Sequence, residues 1–310
     1  MAISGHFRLN HSSLPDYKKQ ESDRLNNAIF WMAGSISFFC LMATGARELS
    51  HELPIMLSLF FRSLIGVIVV GTLLLATGQR QQFFTKRPTA HAVRNLFHLA
   101  GQYGWFMGIG LLPLAQVIAL EFTVPIWTTV IAALTLGERI TTRKLIAVLM
   151  GICGVWVIVQ PDAGSFDSAS LIVLAAAVGY AISHIGTKTL SATDSSVTIV
   201  FYMCLIQMPL AFLLALPNWQ WPVGAQWFWL GVIGVSALLA HYCLTNAMRG
   251  SDVARIMTMD YLRLPAMALV GVLFYSEQLA WTLLAGGVLM VIGNLVNNPQ
   301  VRFSTILSKE

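Results

Sequence analysis

Apolar residues dominate this chain in long uninterrupted runs divided by short polar breaks, without the regular polar interruptions of a water-facing helix or strand. Nearly charge-free segments fall at about 28–46, 54–77, 93–111, 115–136 and 145–160, and again at about 170–187, 196–216, 225–247, 254–276 and 281–298. A helix crosses the hydrocarbon layer with about 20 apolar residues, fewer where neighbours cover its ends. The pattern therefore predicts ten transmembrane helices and an all-α integral membrane protein. The stretch Ser195–Met248 carries no Lys, Arg, Asp or Glu, and Pro217-Asn218-Trp219-Gln220-Trp221-Pro222 divides it. That hexapeptide reads as a turn at the membrane–water interface with aromatic anchors.

Composition agrees with this pattern. Of 310 residues, 56% are hydrophobic and 11% charged, against roughly 25% charged in a soluble domain. The net charge of +5 would suggest nucleic acid in a soluble protein, but here the basic residues sort by side. If both termini are cytoplasmic, the inner segments collect Arg8, Lys18, Lys19, Arg24, Arg80, Lys86, Arg87, Arg94, Arg139, Arg143, Lys144, Lys188, Arg249, Arg255, Arg302 and Lys309, and the outer segments hold only Arg47. Such asymmetry is what positive-inside orientation requires. It predicts an N-in, C-in protein of the bacterial inner membrane, with polar tails at 1–27 and 299–310, contacts with lipid and no nucleic-acid partner.

A shift of 139 positions lays Ala115 on Ala254, Glu121 on Asp260, Phe122 on Tyr261, Glu138 on Glu277 and Gly154 on Gly293. Five spans per half is an odd number, so the second copy enters the membrane from the opposite side. The prediction is two inverted five-helix repeats, at 28–160 and 170–298, with a binding site near the midplane where they meet.

Four ionisable residues interrupt the spans: Arg62, Glu121, Asp260 and Arg263. Charge within the bilayer costs at least about 2.5 kcal/mol unless protein or water receives it, which makes these the candidate site. Glu121 lies four residues before Pro125, on one helix face, and a proline frees the carbonyl four residues back. Glu121 either faces a polar, kinked segment as a proton carrier or amine partner, or pairs with Arg62 or hydrogen-bonds a neighbouring helix. Asp260 and Arg263 are three apart and can neutralise each other side by side. Arg62 could receive a carboxylate in bidentate fashion, or clamp Glu121 or a carbonyl. The four charges sum to zero, which suits a zwitterionic or amphipathic substrate. Tyr103 and Tyr242, equivalent under the same shift, and Tyr261 are the aromatic candidates for lining a cavity.

Other chemistry is thinner. His98, His184 and His241 fall in or near spans without helix-face metal spacing, and Cys40, Cys153, Cys204 and Cys243 are scattered as small apolar residues. Glu138 and Glu277 end spans and are expected to meet water. Gly104 and Gly108 form a small-xxx-small surface for close helix packing. There is no phosphate loop, nucleophile elbow or metal set, so no enzyme, cofactor or metal site is expected.

The stretch Ala119-Leu120-Glu121-Phe122-Thr123-Val124-Pro125-Ile126-Trp127 followed by Leu136-Gly137-Glu138-Arg139, its counterpart Asp260-Tyr261-Leu262-Arg263-Leu264-Pro265 followed by Phe274-Tyr275-Ser276-Glu277, and Phe60-Phe61-Arg62 resemble the EamA-type branch of the drug/metabolite transporter superfamily. The resemblance implies ten helices, an inverted pseudo-twofold, and alternating access around a cavity lined by the first, third and fourth helices of each half. It further implies a small organic metabolite as substrate, driven by its own gradient, by protons or by a counter-substrate. Export is the commoner direction in that family; uptake of a nutrient such as S-adenosylmethionine or riboflavin is the alternative. A membrane enzyme or partner subunit is the rival of another class, and it lacks a reacting constellation. Arg62 falls opposite Met203 under a shift of 141, so the basic residues do not follow the repeat.

Overall fold

The structure is a computed structural model and describes residues 14–136, 141–159, 167–250, 259–260 and 262–297. The regular elements among them are helical: α1 (Leu14–Leu49), α2 (Ile55–Ala76), α3 (Pro88–Leu111), α4 (Leu114–Glu121), α5 (Val124–Leu136), α6 (Thr142–Val159), α7 (Ser168–Leu190), α8 (Ser196–Ala215), α9 (Gln226–Gly250), α10 (Arg263–Tyr275) and α11 (Trp281–Asn297), with short 3₁₀ turns at Arg80–Phe83 and Leu216–Asn218. Six helices are long and apolar enough to cross a membrane, while the apolar stretches in α4–α5, α10 and α11 are shorter. Two boundaries differ from the sequence expectation. Helix α1 runs back to Leu14, into the polar segment before residue 28, and α3 begins at Pro88, whose fixed φ suits a first helical position.

The fourth predicted span is not one helix. It breaks after Glu121 into α4 and α5, with Phe122 and Thr123 in a turn. The freed groups are recaptured locally: the Thr123 hydroxyl donates to the Leu120 carbonyl at 2.7 Å, and the amides of Ile126 and Trp127 both donate to the Thr123 carbonyl. Pro125, four residues after Glu121, has no N–H to return to that carbonyl, which is the sequence cause of the break. In the second half Asp260 is helical, Leu262 lies in a turn and Arg263 opens α10.

Helix α4 occupies the centre. Leu114, Ala115, Val117, Ile118, Ala119 and Leu120 are all essentially inaccessible, so α4 is wrapped on every side. Around it α1 packs on α9, α3 on α7, α2 on α8, α6 on α11 and α4 on α10. Exchanging the first five predicted spans with the second five maps this set of pairs onto itself. Large apolar side chains of α2, α6 and α8, such as Leu73, Trp156 and Leu213, face outward.

Hydrophobicity gives little drive between helices in lipid, so contact geometry decides. A Cβ added at Gly154 would meet the Gly286 carbonyl at 2.8 Å, and one added at Gly286 would meet the Gly154 carbonyl at 2.6 Å. These reciprocal contacts let the α6 and α11 backbones touch. Gly104 and Gly108 likewise receive Ile172, Val173 and Ala176 of α7. The Pro217–Pro222 turn presents Trp219 and Trp221 beside Phe60, Phe61 and Phe212, around an apolar groove of about 450 Å³.

Candidate functional site

Three of the four charged residues expected in the spans meet at the two helix breaks. Arg263 Nη2 donates to Glu121 Oε1 and to Asp260 Oδ2, both at 3.0 Å. The far side of the Glu121 carboxylate accepts from Trp105 Nε1 at 2.8 Å. The guanidinium also lies over the rings of Phe39 and Phe122, at 5.0 and 5.5 Å from their centroids. Charge-assisted hydrogen bonds of this kind are about twice as strong as neutral ones. One cation faces two carboxylates, and Asp260 Oδ1 and Arg263 Nε have no hydrogen-bond partner among the described residues.

Arg62 is elsewhere. It does not pair with Glu121, and its side chain, 3% exposed, meets Gln102 instead. With the Gln102 amide oxygen turned toward it, as the hydrogen-bond network requires, that oxygen accepts from both Nη1 and Nη2 at 3.0 Å, and the Gln102 nitrogen donates to Gln207 Oε1 at 2.9 Å. Gln207 Nε2 in turn lies 2.9 Å from His98 Nδ1. Further along α3, Arg94 donates to Asn95 Oδ1 at 2.6 Å and to Thr187 Oγ1 at 3.1 Å. Arg94, taken from the sequence as an inner-surface cation, is buried in the bundle at 7% exposure. The earlier start of α3 explains the difference, since it carries residues 88–93 below Arg94 as helix.

His91, Arg94, Asn95, His98, Gln102 and Trp105 are all buried, and their spacing of three and four puts them on one face of α3. That periodicity is the sequence signal for Trp105, Gln102 and Arg94, which isolated charges within the spans do not reveal. The seam spans about 21 Å at 1.5 Å per residue. His184 is exposed and His241 partly exposed.

The aromatic candidates separate. Tyr103 is partly buried against the main core. Tyr242 is 53% exposed and edge-on to Trp31 at 5.8 Å, away from the charged cluster. Tyr261 and Glu138 lie outside the described residues. Tyr180 of α7 packs on α3 at Gly101 and stands edge-on to His98 at 5.6 Å.

Both ends of the seam are tied. At the end where α1 finishes, Glu277 pairs with Arg47, and its carboxylate accepts from the Leu114 amide at 3.0 and 3.2 Å; Arg47 also donates to the Ile109 carbonyl. Glu277, expected to meet water, is only 11% exposed. A left-handed Ser276 (φ 52°) turns it back so that its amide donates to the Gly271 carbonyl. At the opposite end, Asp194 Oδ2 lies 2.7 Å from His91 Nε2 and accepts from Thr85 Oγ1 at 2.7 Å. Burial pushes the Asp194 carboxyl up, but hydrogen bonds from His91 and Thr85 and the charges of His91 and Arg87 outweigh it and hold the group below the usual carboxylate range.

Known proteins share this plan. The profile of the EamA-like transporter family matches the chain twice, over residues 26–160 and 167–298. A riboflavin transporter of Vibrio cholerae is 30% identical, covering 84% of this chain and 89% of its own. An S-adenosylmethionine uptake transporter of Rickettsia felis is 25% identical, with 76% and 80% covered, and a pseudopaline exporter of Pseudomonas aeruginosa is 28% identical, with 82% and 89% covered. A crystal structure at 21% identity superposes with a TM-score of 0.63, over 87% of this chain and 96% of that one, and shares the fold. With both halves matched by one profile and transporters among its relatives, the chain is an integral membrane protein of the EamA-like transporter family and not an enzyme.

Proposed function

We propose that this protein is a secondary transporter of the bacterial inner membrane, with both termini cytoplasmic and ten spans in two inverted five-helix halves, which moves a small organic metabolite by alternating access. One observation carries the reading: Glu121 and Asp260, each at the break in the fourth helix of its half, converge on one arginine in the interior. Broken helices at a repeat interface are where such carriers hold their cargo. The contact pattern, closed under exchange of the halves, supports the pseudo-twofold. In this reading the Arg47–Glu277 tie closes the outer side, the Asp194–His91 tie closes the inner side, and transport breaks them in turn.

Asp260 Oδ1 and the two carboxylates sharing Arg263 would receive a cationic or hydrogen-bond-donating part of the cargo, with Trp105, Phe39, Phe122 and Tyr180 as the aromatic walls. Tyr103, Tyr242 and Tyr261 remain proposed lining residues. Protons or a counter-substrate exchanging at Glu121 and Asp260 would supply the coupling. Export is the direction the family resemblance implies. Uptake is the second reading, favoured by relatives that carry S-adenosylmethionine inward.

Counterflow in proteoliposomes against a metabolite panel that includes riboflavin and S-adenosylmethionine tests this. The wild type is expected to exchange at least one compound, and Glu121→Gln or Asp260→Asn to reduce the rate at least tenfold. Equal rates in both variants across pH would remove these acids from the mechanism. Growth of an auxotroph on traces of the compound marks uptake; resistance to an excess marks export.

A further inference from the structure

Of the three buried arginines, Arg263 holds the carboxylates of Glu121 and Asp260 together, a group with one net negative charge. Arg62 and Arg94, 3% and 7% exposed, carry two positive charges. Neither has a carboxylate within ion-pair distance among the described residues, and one hydrogen-bond chain links them, since Gln207 Nε2, whose amide meets Gln102, also donates to the carbonyl of Asn95 at 3.4 Å. What they have are neutral acceptors: the Gln102 oxygen for Arg62, and the Asn95 and Thr187 oxygens for Arg94. Arg62 Nε has no acceptor among the described residues. Their other polar neighbours, His98, His184 and His241, add no negative charge. Two desolvated, mutually repelling guanidinium groups are expensive to bury and gain most from a bound anion.

We propose that Arg62 and Arg94, with the Gln102–Gln207 amide pair between them, form an oxyanion subsite, and that the metabolite carried by this protein bears a carboxylate or phosphate that docks there while its other end meets Glu121 and Asp260. The inference rests on the transport reading above and narrows its substrate class. Guanidinium groups bind such oxyanions through paired N–H donors. Gln102 takes part by holding Arg62: its oxygen accepts one N–H from each of Nη1 and Nη2 and leaves Nε without an acceptor among the described residues.

The test uses the full chain in neutral detergent, with thermal stability followed as chloride is replaced by acetate or inorganic phosphate at constant ionic strength. The wild type and the exposed-site control Arg143→Gln should show a saturable rise in Tm. Arg62→Gln and Arg94→Gln should lose it, and Arg62→Lys should keep part of it. In counterflow, Arg62→Gln should raise KM at least tenfold for an oxyanion-bearing substrate. If neither anion differs from chloride, or the rise survives in both glutamine variants, the subsite is overturned even if the wild type transports. If the wild type moves nothing from the panel yet acetate or phosphate still stabilises it through Arg62, the subsite stands and the transport reading fails. Stabilisation by phosphatidylglycerol but by neither free anion would place a lipid headgroup there and overturn the metabolite assignment.

Discussion

Arg263→Ala is expected to cost about 3–5 kcal/mol of stability, the range for removing one partner of a buried ion pair, and to abolish transport. Both carboxylates that Arg263 holds are largely inaccessible, so the truncation leaves two like charges together with no cation to oppose them. The packing of the guanidinium over Phe39 and Phe122 is lost as well. The loss of stability should be reversible by a route that does not restore function. In Arg263→Ala combined with Glu121→Gln and Asp260→Asn, no uncompensated charge remains, and thermal unfolding in detergent should return most of the way toward wild type while counterflow stays at background. An Arg263→Ala protein as stable as wild type would mean that the carboxylates are not held in the way the contacts indicate.

The second large effect is expected at Glu277. Its carboxylate serves Arg47 and the first amide of α4 together, and the four N-terminal amides of any helix lack partners within it. Glu277→Ala therefore strands a cation that is 16% exposed and a buried N–H at the head of the central helix. We expect a loss of about 2–3 kcal/mol, below the fully buried range because water reaches Arg47. If the tie closes the outer side, the variant should also label faster with an impermeant reagent at a cysteine placed beside Leu114. Unchanged stability and labelling would reduce the contact to an incidental surface pair.

Much of this arrangement was legible in the chain. Apolar runs predicted an all-helical membrane protein, and six helices among the described residues are long and apolar enough to cross a membrane; the cost of charge in lipid singled out Arg62, Glu121, Asp260 and Arg263, and all four are largely inaccessible. The 139-residue shift paired Glu121 with Asp260, and both stand at helix breaks. Partnership was not legible, because it depends on which helix faces which. The sequence left Arg62 open as a clamp for Glu121, whereas α3 brings Gln102 to Arg62 and Trp105 to Glu121. Arg94 and Glu277 were assigned to water because they sit at the ends of apolar runs, but α3 begins earlier than its hydropathy, and the Ser276 turn folds Glu277 inward.

The central claim is that two oppositely inserted halves enclose these charges, and side-specific labelling tests it most directly. His51 and Ala192 are exposed, lie in the turns after the first span of each half, and are equivalent under the 141-residue shift. In a background lacking Cys40, Cys153, Cys204 and Cys243, His51→Cys should react with an impermeant maleimide on intact cells. Ala192→Cys should react only after the membrane is opened. Labelling of both from the same side would contradict the inverted architecture and the transport mechanism built on it.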